Sequence, residues 1–361
     1  MKKKLTKVLI SLPFLSFLFL CSCTLLGTNE TKVTEVKASA ATVSEAKPTV
    51  YAVTLSTGFS VTGQKHSVSA LFYQSPDSGT EWDFLGRPNN RIFNVAFFKP
   101  AKGKIIAMAT HTGVQQSNDY GKTWKTTSGW EMTEVNDVAF DPNDSNTIYA
   151  SSPYGFYKTV DGGKAWKQYN KGLVTPDQTF VSSILIDSTN SSRILITTEA
   201  GVYESNNAGE EWTKVKDVTI GNIRKIIQNP NNPEMFALCT ENNGIYFSTD
   251  GGHIWAKSDV GILNNTFYDV YFDPNNPKII YAAGFQTGVY KSIDGGKKWK
   301  QYFAGLGTVT IRSLAVVPGN SNIVYAGTLG KGVYVSTDEG ITWKFDGLDN
   351  GFVSNVKIEN F

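Results

Sequence analysis

The feature that most constrains this chain is an eight-residue pattern, Ser-x-Asp-x-Gly-x-x-Trp, that returns seven times. It reads Ser75-Pro76-Asp77-Ser78-Gly79-Thr80-Glu81-Trp82, then Ser117 to Trp124 around Asp119, then Thr159 to Trp166 around Asp161. The fourth copy, Ser205 to Trp212, carries Asn207 at its centre, and three more centre on Asp250, Asp294 and Asp338. Successive centres lie 42, 42, 46, 43, 44 and 44 residues apart, and seven of the eight tryptophans occupy the last position. Such a period marks one supersecondary unit stacked on copies of itself.

Each motif reads as a tight turn. A short Asp or Asn accepts hydrogen bonds from nearby backbone N–H groups, the Gly admits positive φ, and the Ser or Thr hydroxyl adds a local bond. The Trp opens the next strand, where its apolar face packs between neighbouring elements. One acidic residue per turn falls far short of the oxygen ligands calcium needs, so no metal is expected at these turns. His66, His111 and His253 are scattered and suggest no metal centre, and no cofactor motif is present.

The segments between motifs repeat as strands. Gly288-Val289-Tyr290-Lys291-Ser292 precedes one motif and Ile279-Ile280-Tyr281-Ala282-Ala283 lies upstream of it. Before that comes a strand ending in Asp-Pro-Asn-Asn-Pro at 273–277, echoed at 229–233, where Pro and Asn mark a turn. Four strands per repeat make a propeller blade. The chain enters at Thr49-Val50-Tyr51-Ala52-Val53, a second strand, and leaves through Phe352 to Ile358, a first strand. The strand count balances only if the C-terminal strand completes the blade that the N-terminal strand begins. The expected fold is all-β: one seven-bladed β-propeller of four-stranded antiparallel blades over residues 49–361, its first blade closed by the C-terminal strand.

Residues 1–22 combine Lys2, Lys3, Lys4 and Lys7 with an apolar run from Val8 to Leu20, too short to span a bilayer comfortably. The run ends in Leu20-Cys21-Ser22-Cys23, which resembles the lipobox of bacterial lipoproteins. That resemblance implies cleavage before Cys23 and acylation of it, each chain contributing about 0.8 kcal/mol per buried methylene. Residues 23–48 hold the lipidated Cys and a Thr-, Ala-, Ser-, Lys- and Glu-rich stretch that reads as a flexible tether. Removing the signal leaves 30 basic against 32 acidic side chains, a formal charge of −2. A near-neutral domain offers no electrostatic case for nucleic acid. Cys239 lies in the apolar run Met235 to Cys239 and reads as a buried strand residue.

The motif and its spacing resemble the Asp-box (BNR) repeat propellers, which include the sortilin luminal domain, photosystem II assembly factors, xyloglucan-specific endoglucanases and sialidases. The resemblance specifies the fold. It leaves the function open, because Asp-boxes sit on turns away from the sites such proteins use.

Chain direction puts the Asp-boxes on one face, here the lower, and the second-to-third and blade-to-blade loops on the other. Aligning the first strands on their closing turns gives a polar column of Asn94, Asn136, Ser182, Arg224, Tyr268 and Arg312, with Asn355 as the closing strand's counterpart. This set is expected to ring the upper channel mouth, as a ligand site or as a solvated lining. Trp130, the only tryptophan outside the motif, and Tyr154, Tyr302 and Phe303 fall on upper loops, where exposed aromatics suit sugar stacking or a protein contact. Glu199 and Glu241 occupy equivalent loops of adjacent blades and could form an acid–base pair for glycoside hydrolysis. Endoglucanases of the resembled group work in a cleft between two propellers, whereas this chain has one. A sialidase needs an arginine triad on six blades, and only Arg87, Arg91, Arg193, Arg224 and Arg312 are present.

The expectation is an exported, lipid-anchored, non-enzymatic scaffold binding an unidentified protein or polysaccharide through its upper face. The alternatives are a glycoside hydrolase using Glu199 and Glu241, and a glycan-binding module without turnover.

Overall fold

The computed structural model describes residues 48–56, 69–74, 81–86, 90–216 and 220–359. The signal and tether up to residue 47, with Cys23, and also His66, Asp77 and Arg87 lie outside the described residues. Within them, strands pair into seven four-stranded antiparallel sheets. Blade 1 joins Phe352–Glu359 to Thr49–Ser56, Ala70–Gln74 and Asp83–Gly86. Blade 2 is Ile92–Phe97, Ile106–Thr110, Gly113–Ser117 and Lys125–Thr126; blade 3 is Asp137–Asp141, Asp144–Ser152, Gly155–Thr159 and Lys167–Gln168. Blade 4 is Val181–Asp187, Asn190–Thr198, Gly201–Ser205 and Thr213–Lys214; blade 5 is Ile223–Asn229, Asn232–Thr240, Ile245–Ser248 and Ala256–Ser258. Blade 6 is Phe267–Phe272, Ile280–Gly284, Val289–Ser292 and Lys300–Tyr302; blade 7 is Ile311–Val317, Asn320–Thr328, Val333–Ser336 and Lys344–Gly347. The expected closure is present: Thr49 pairs with Glu359 and Ser56 with Phe352, with two slips in register between them. A closed ring leaves no long sheet edge open to another chain.

The core lies between blades. Each of seven apolar clusters draws on two adjacent blades, as where Phe247 of blade 5 and Val270, Phe272 and Trp299 of blade 6 meet. Second strands are covered on both faces, so Ile194-Leu195-Ile196 and Phe236-Ala237-Leu238-Cys239 are apolar without alternation and fully buried. Burial also pushes the Cys239 thiol up, which keeps it protonated and inert.

The six described Asp-box centres share one geometry. In blade 2, Ser117 Oγ donates to Asp119 at 2.8 Å and accepts from Gly121 N at 2.8 Å, while Thr123 N donates to Asp119 at 2.8 Å. Asn207 keeps the arrangement, accepting from Ser205 Oγ at 2.8 Å and Glu211 N at 3.0 Å, because its amide oxygen replaces the carboxylate oxygen used elsewhere. Several box tryptophans bind the preceding blade: Trp82 Nε1 donates to Asp346 O at 2.7 Å and Trp212 Nε1 to Tyr169 O at 2.9 Å. The motif therefore closes a hairpin and ties it to its neighbour. No helix among the described residues is long and apolar enough to cross a membrane.

Candidate functional site

The seven first strands surround an axial channel of about 710 Å³. A bulge near the top of these strands shapes it. Against the second strand, pairing skips Phe93, Ser182, Arg224, Tyr268, Arg312 and Ser354, and in blade 3 the strand begins just after Asn136. A bulge sets two residues against one partner, so two consecutive side chains share a face. Both members of every pair line the channel.

The paired register defines two rings. The outer ring is Phe93, Asn136, Ser182, Arg224, Tyr268, Arg312 and Ser354, and the ring below it is Asn94, Asp137, Ser183, Lys225, Asp269, Ser313 and Asn355. The sequence alignment places Asn94 and Asn355 in the first of these, and the structure moves both to the second. Blade 2 closes its first hairpin with a 3-10 turn, Lys99–Ala101, one residue longer than the Asp-Pro turns. The C-terminal strand pairs with the N-terminal strand, Thr49 with Glu359, where first strands elsewhere form a hairpin with the strand that follows them.

The lower ring is a stitched network. Asn355 Nδ2 donates to Asn94 Oδ1 at 3.0 Å, and Asn94 Nδ2 donates in turn to Asp137 Oδ1. Asp137 Oδ2 accepts the N–H of Ile184 at 2.9 Å, so that run crosses from blade 1 to blade 4. Lys225 pairs with Asp269, which accepts Leu314 N at 2.8 Å, and Ser313 Oγ accepts Val356 N at 3.0 Å. Burial raises the Asp137 carboxyl, opposed by the Ile184 N–H, the Lys357 charge and Asn94. Burial likewise lowers Lys357, one layer deeper, whose ammonium donates to Val95 O and is favoured by Asp137 and Glu359.

The mouth above is cationic and aromatic. Arg312 lies 4.3 Å from the centroid of the Tyr268 ring, and Tyr268 meets Phe285 edge-on at 6.4 Å. Burial lowers Arg312, with Tyr268 acting against and Arg224 adding to the shift. Arg224 forms an ion pair with Glu241. On the loops of the upper face, Trp130 is 91% exposed, Leu263 88% and Val174 82%, with Tyr154 and Phe303 also exposed. Tyr302 is half-buried, with Lys300 Nζ 5.1 Å from its ring centroid.

The structure gathers the polar column in one channel, while Trp130 stands on the loop between blades 2 and 3. Tyr302, expected on a loop, ends the fourth strand of blade 6, paired with Val289. Glu199 is exposed on the two-residue turn between Thr198 and Gly201, whereas Glu241 is bound to Arg224. Arg193 lies at the lower end of blade 4, held by Asp187 at 2.8 Å and by Glu204, and Arg91 is exposed. Of the described arginines only Arg224 and Arg312 line the channel. Sequence reasoning missed Asp137, Lys225, Asp269 and Lys357. The first three directly follow aligned residues, where strict alternation would have sent them to the opposite face, and Lys357 lies two residues past Asn355.

The match to known families decides the relationship. Residues 76–361 match the family described as Photosynthesis system II assembly factor YCF48. The chain belongs to the YCF48 family. A YCF48 structure with a bound D1 peptide superposes with a TM-score of 0.55 at 18% identity, over 70% of this chain and 81% of that one. The GH74 xyloglucanase from Xanthomonas campestris gives a TM-score of 0.64 at 16% identity, over 83% of this chain and 52% of its own. A probable oligoxyloglucan-reducing end-specific xyloglucanase of Neosartorya fischeri is 33% identical over 90 residues, 23% of this chain and 11% of that protein. The chain thus spans about half of the bacterial xyloglucanase and a small part of the fungal one. At these identities the structural likeness establishes the shared propeller and no more.

Proposed function

We propose that this YCF48-family propeller is a non-enzymatic scaffold that receives a segment of a partner protein at its upper mouth. One observation carries the reading: Arg224, Arg312 and Tyr268 top a polar channel on the face whose loops carry exposed apolar side chains. Aromatic and arginine anchors beside apolar surface suit a protein contact. The peptide-bound YCF48 relative supports this choice of partner class.

The hydrolase reading fits less well. A glycosidase needs two carboxyl groups facing one substrate, and an oxygen of Glu241 is already held by Arg224. Reducing-end release from a polysaccharide panel tests this directly. The scaffold reading expects none, and release abolished by Glu199→Gln or Glu241→Gln would replace it with the hydrolase.

Export and lipid anchoring at Cys23 complete the proposal, on the strength of the basic start, the apolar run and the Leu20-Cys21-Ser22-Cys23 ending. Membrane fractionation tests them: Cys23→Ala is expected to move the protein from the membrane pellet to the soluble fraction. An unchanged distribution would remove the anchor from the account.

A further inference from the structure

A second cavity, of about 560 Å³, opens at the lower end of the seam between blades 1 and 2 and shares no described residue with the channel. Tyr51, Tyr73, Phe84 and Leu85 of blade 1 and Tyr120 of blade 2 line it, with Lys102 and Lys122.

Internal repetition shows how this seam differs from those of blades 3 and 6; at the same register as its Tyr73, blades 2, 4, 5 and 7 carry Gln116, Glu204, Phe247 and Val335. Tyr51 holds the register position of Tyr149 in blade 3 and Tyr281 in blade 6. In those blades the cross-strand partner is a lysine, Lys158 or Lys291. Each lysine spans its seam to the next Asp-box, Lys158 Nζ donating to Ala208 O at 3.2 Å and Lys291 Nζ to Glu339 O at 3.0 Å. In blade 1 the partner is Tyr73, so aromatic surface replaces the bridging ammonium. The positive charges stand on the opposite wall instead, on exposed Lys102 and Lys122.

Backbone conformation is constrained on the same wall. Tyr120 sits at φ 63°, in the left-handed position that Gly162, Gly251 and Gly295 take in three other boxes and Ala208 and Glu339 in two more. Lys102 is left-handed too, at φ 48°. A side chain there costs about 1 kcal/mol that glycine avoids, and such costs gather at ligand sites.

Phenol rings offer flat faces for the C–H surface of a sugar and hydroxyls for its oxygens, while rim ammonium groups attract carboxylates. Burial, Glu359 and Tyr73 push the Tyr51 hydroxyl up to about 12, leaving it a proton donor at neutral pH. The volume lies within the range of small-ligand pockets. We propose that the blade 1–blade 2 seam binds an acidic glycan, stacking a sugar on Tyr73 and Tyr120 and pairing its carboxylate with Lys102 and Lys122.

The test is calorimetric titration of the full chain with an oligogalacturonate, beside a neutral dextran oligosaccharide and polyglutamate. Binding of the oligogalacturonate alone is expected, weakened at least tenfold by Tyr120→Gly and by Lys102→Glu with Lys122→Glu, and unchanged by Trp130→Ala. Glycine suits the left-handed site, so Tyr120→Gly removes the ring without straining the fold, and its melting temperature should not fall. Absent binding, binding untouched by the seam variants, or equal binding of dextran would overturn the proposal. Equal binding of polyglutamate would also overturn it, reducing the seam to a charge site for acidic peptides. The upper-mouth reading stands or falls separately, through Trp130 and Arg312.

Discussion

The ammonium of Lys225 in blade 5 binds the carboxylate of Asp269 in blade 6, whose other oxygen accepts the N–H of Leu314 in blade 7 at 2.8 Å. One buried carboxylate therefore joins three blades where their first strands approach the axis. Asp137 performs the same service for blades 2, 3 and 4. With cores confined to the seams, these lumen groups link the blades across the channel wall.

Removing one partner of such a pair should cost more than neutralising the other. Lys225→Met strands the Asp269 carboxylate, which is 1% exposed, and is expected to destabilise by about 3 kcal/mol. Asp269→Asn keeps an acceptor for Leu314 and should cost less. Urea unfolding of both variants checks the order; equal losses would mean that the charge pair itself matters little.

Stability should fall as pH rises from about 4 to about 6. Asp346 is buried where blade 7 meets blade 1, its carboxyl facing Gln74 Nε2 at 3.2 Å, and burial raises it to about 6. A carboxyl raised in the folded state contributes fully below its unfolded value, near 4, and that contribution is lost above about 6. The loss is on the order of 2 kcal/mol by pH 7.5. Asp346→Asn should raise the melting temperature at pH 7.5 and flatten its decline between about pH 4 and 6. An unchanged slope would contradict the assignment.

Three blade-to-blade loops carry a glycine pressed on the next box tryptophan. A Cβ at Gly172, Gly261 or Gly305 would lie 2.0, 2.2 or 1.9 Å from the carbonyl oxygen of Trp212, Trp299 or Trp343, and all three have positive φ. Gly305→Ala should therefore cost several kcal/mol, through a backbone clash that no side chain can relieve. At Gly307, where a Cβ meets nothing within 4 Å, alanine should cost about 1 kcal/mol from its positive φ alone. Thermal unfolding of the pair separates crowding from strain.

The fourth Asp-box should tolerate its asparagine. Asn207 accepts the bonds its aspartate counterparts accept, and Asn207→Asp would add charge beside Glu210 and Glu211. The melting temperature is expected to stay within about two degrees or drop slightly. A clear rise would show that the carboxylate charge is itself needed in this turn.

Blade number, strand order and circular closure were legible because each rests on a repeated local signal, the turn chemistry from Ser117 to Trp124 and its copies. The channel was only partly legible. Asn136, Ser182, Arg224, Tyr268 and Arg312 could be aligned on their turns, but a bulge has no sequence marker here and breaks the alternation on which facing was judged. Asp137 and Asp269 were therefore assigned no role, though every residue of their ring is polar. The pairings of Glu241 with Arg224 and of Lys158 with Ala208 lie beyond sequence, since they depend on side chains meeting across blades or turns.

The most direct test of the central claim is site-specific photocrosslinking in native membranes, with a photoreactive phenylalanine analogue at position 130 and, as the lower-face control, at position 160. The account predicts one defined protein adduct from position 130, lost when Arg312→Ala is added, and none from position 160. Adducts from both positions alike, or an adduct at 130 that survives Arg312→Ala, would contradict a partner held at the upper mouth.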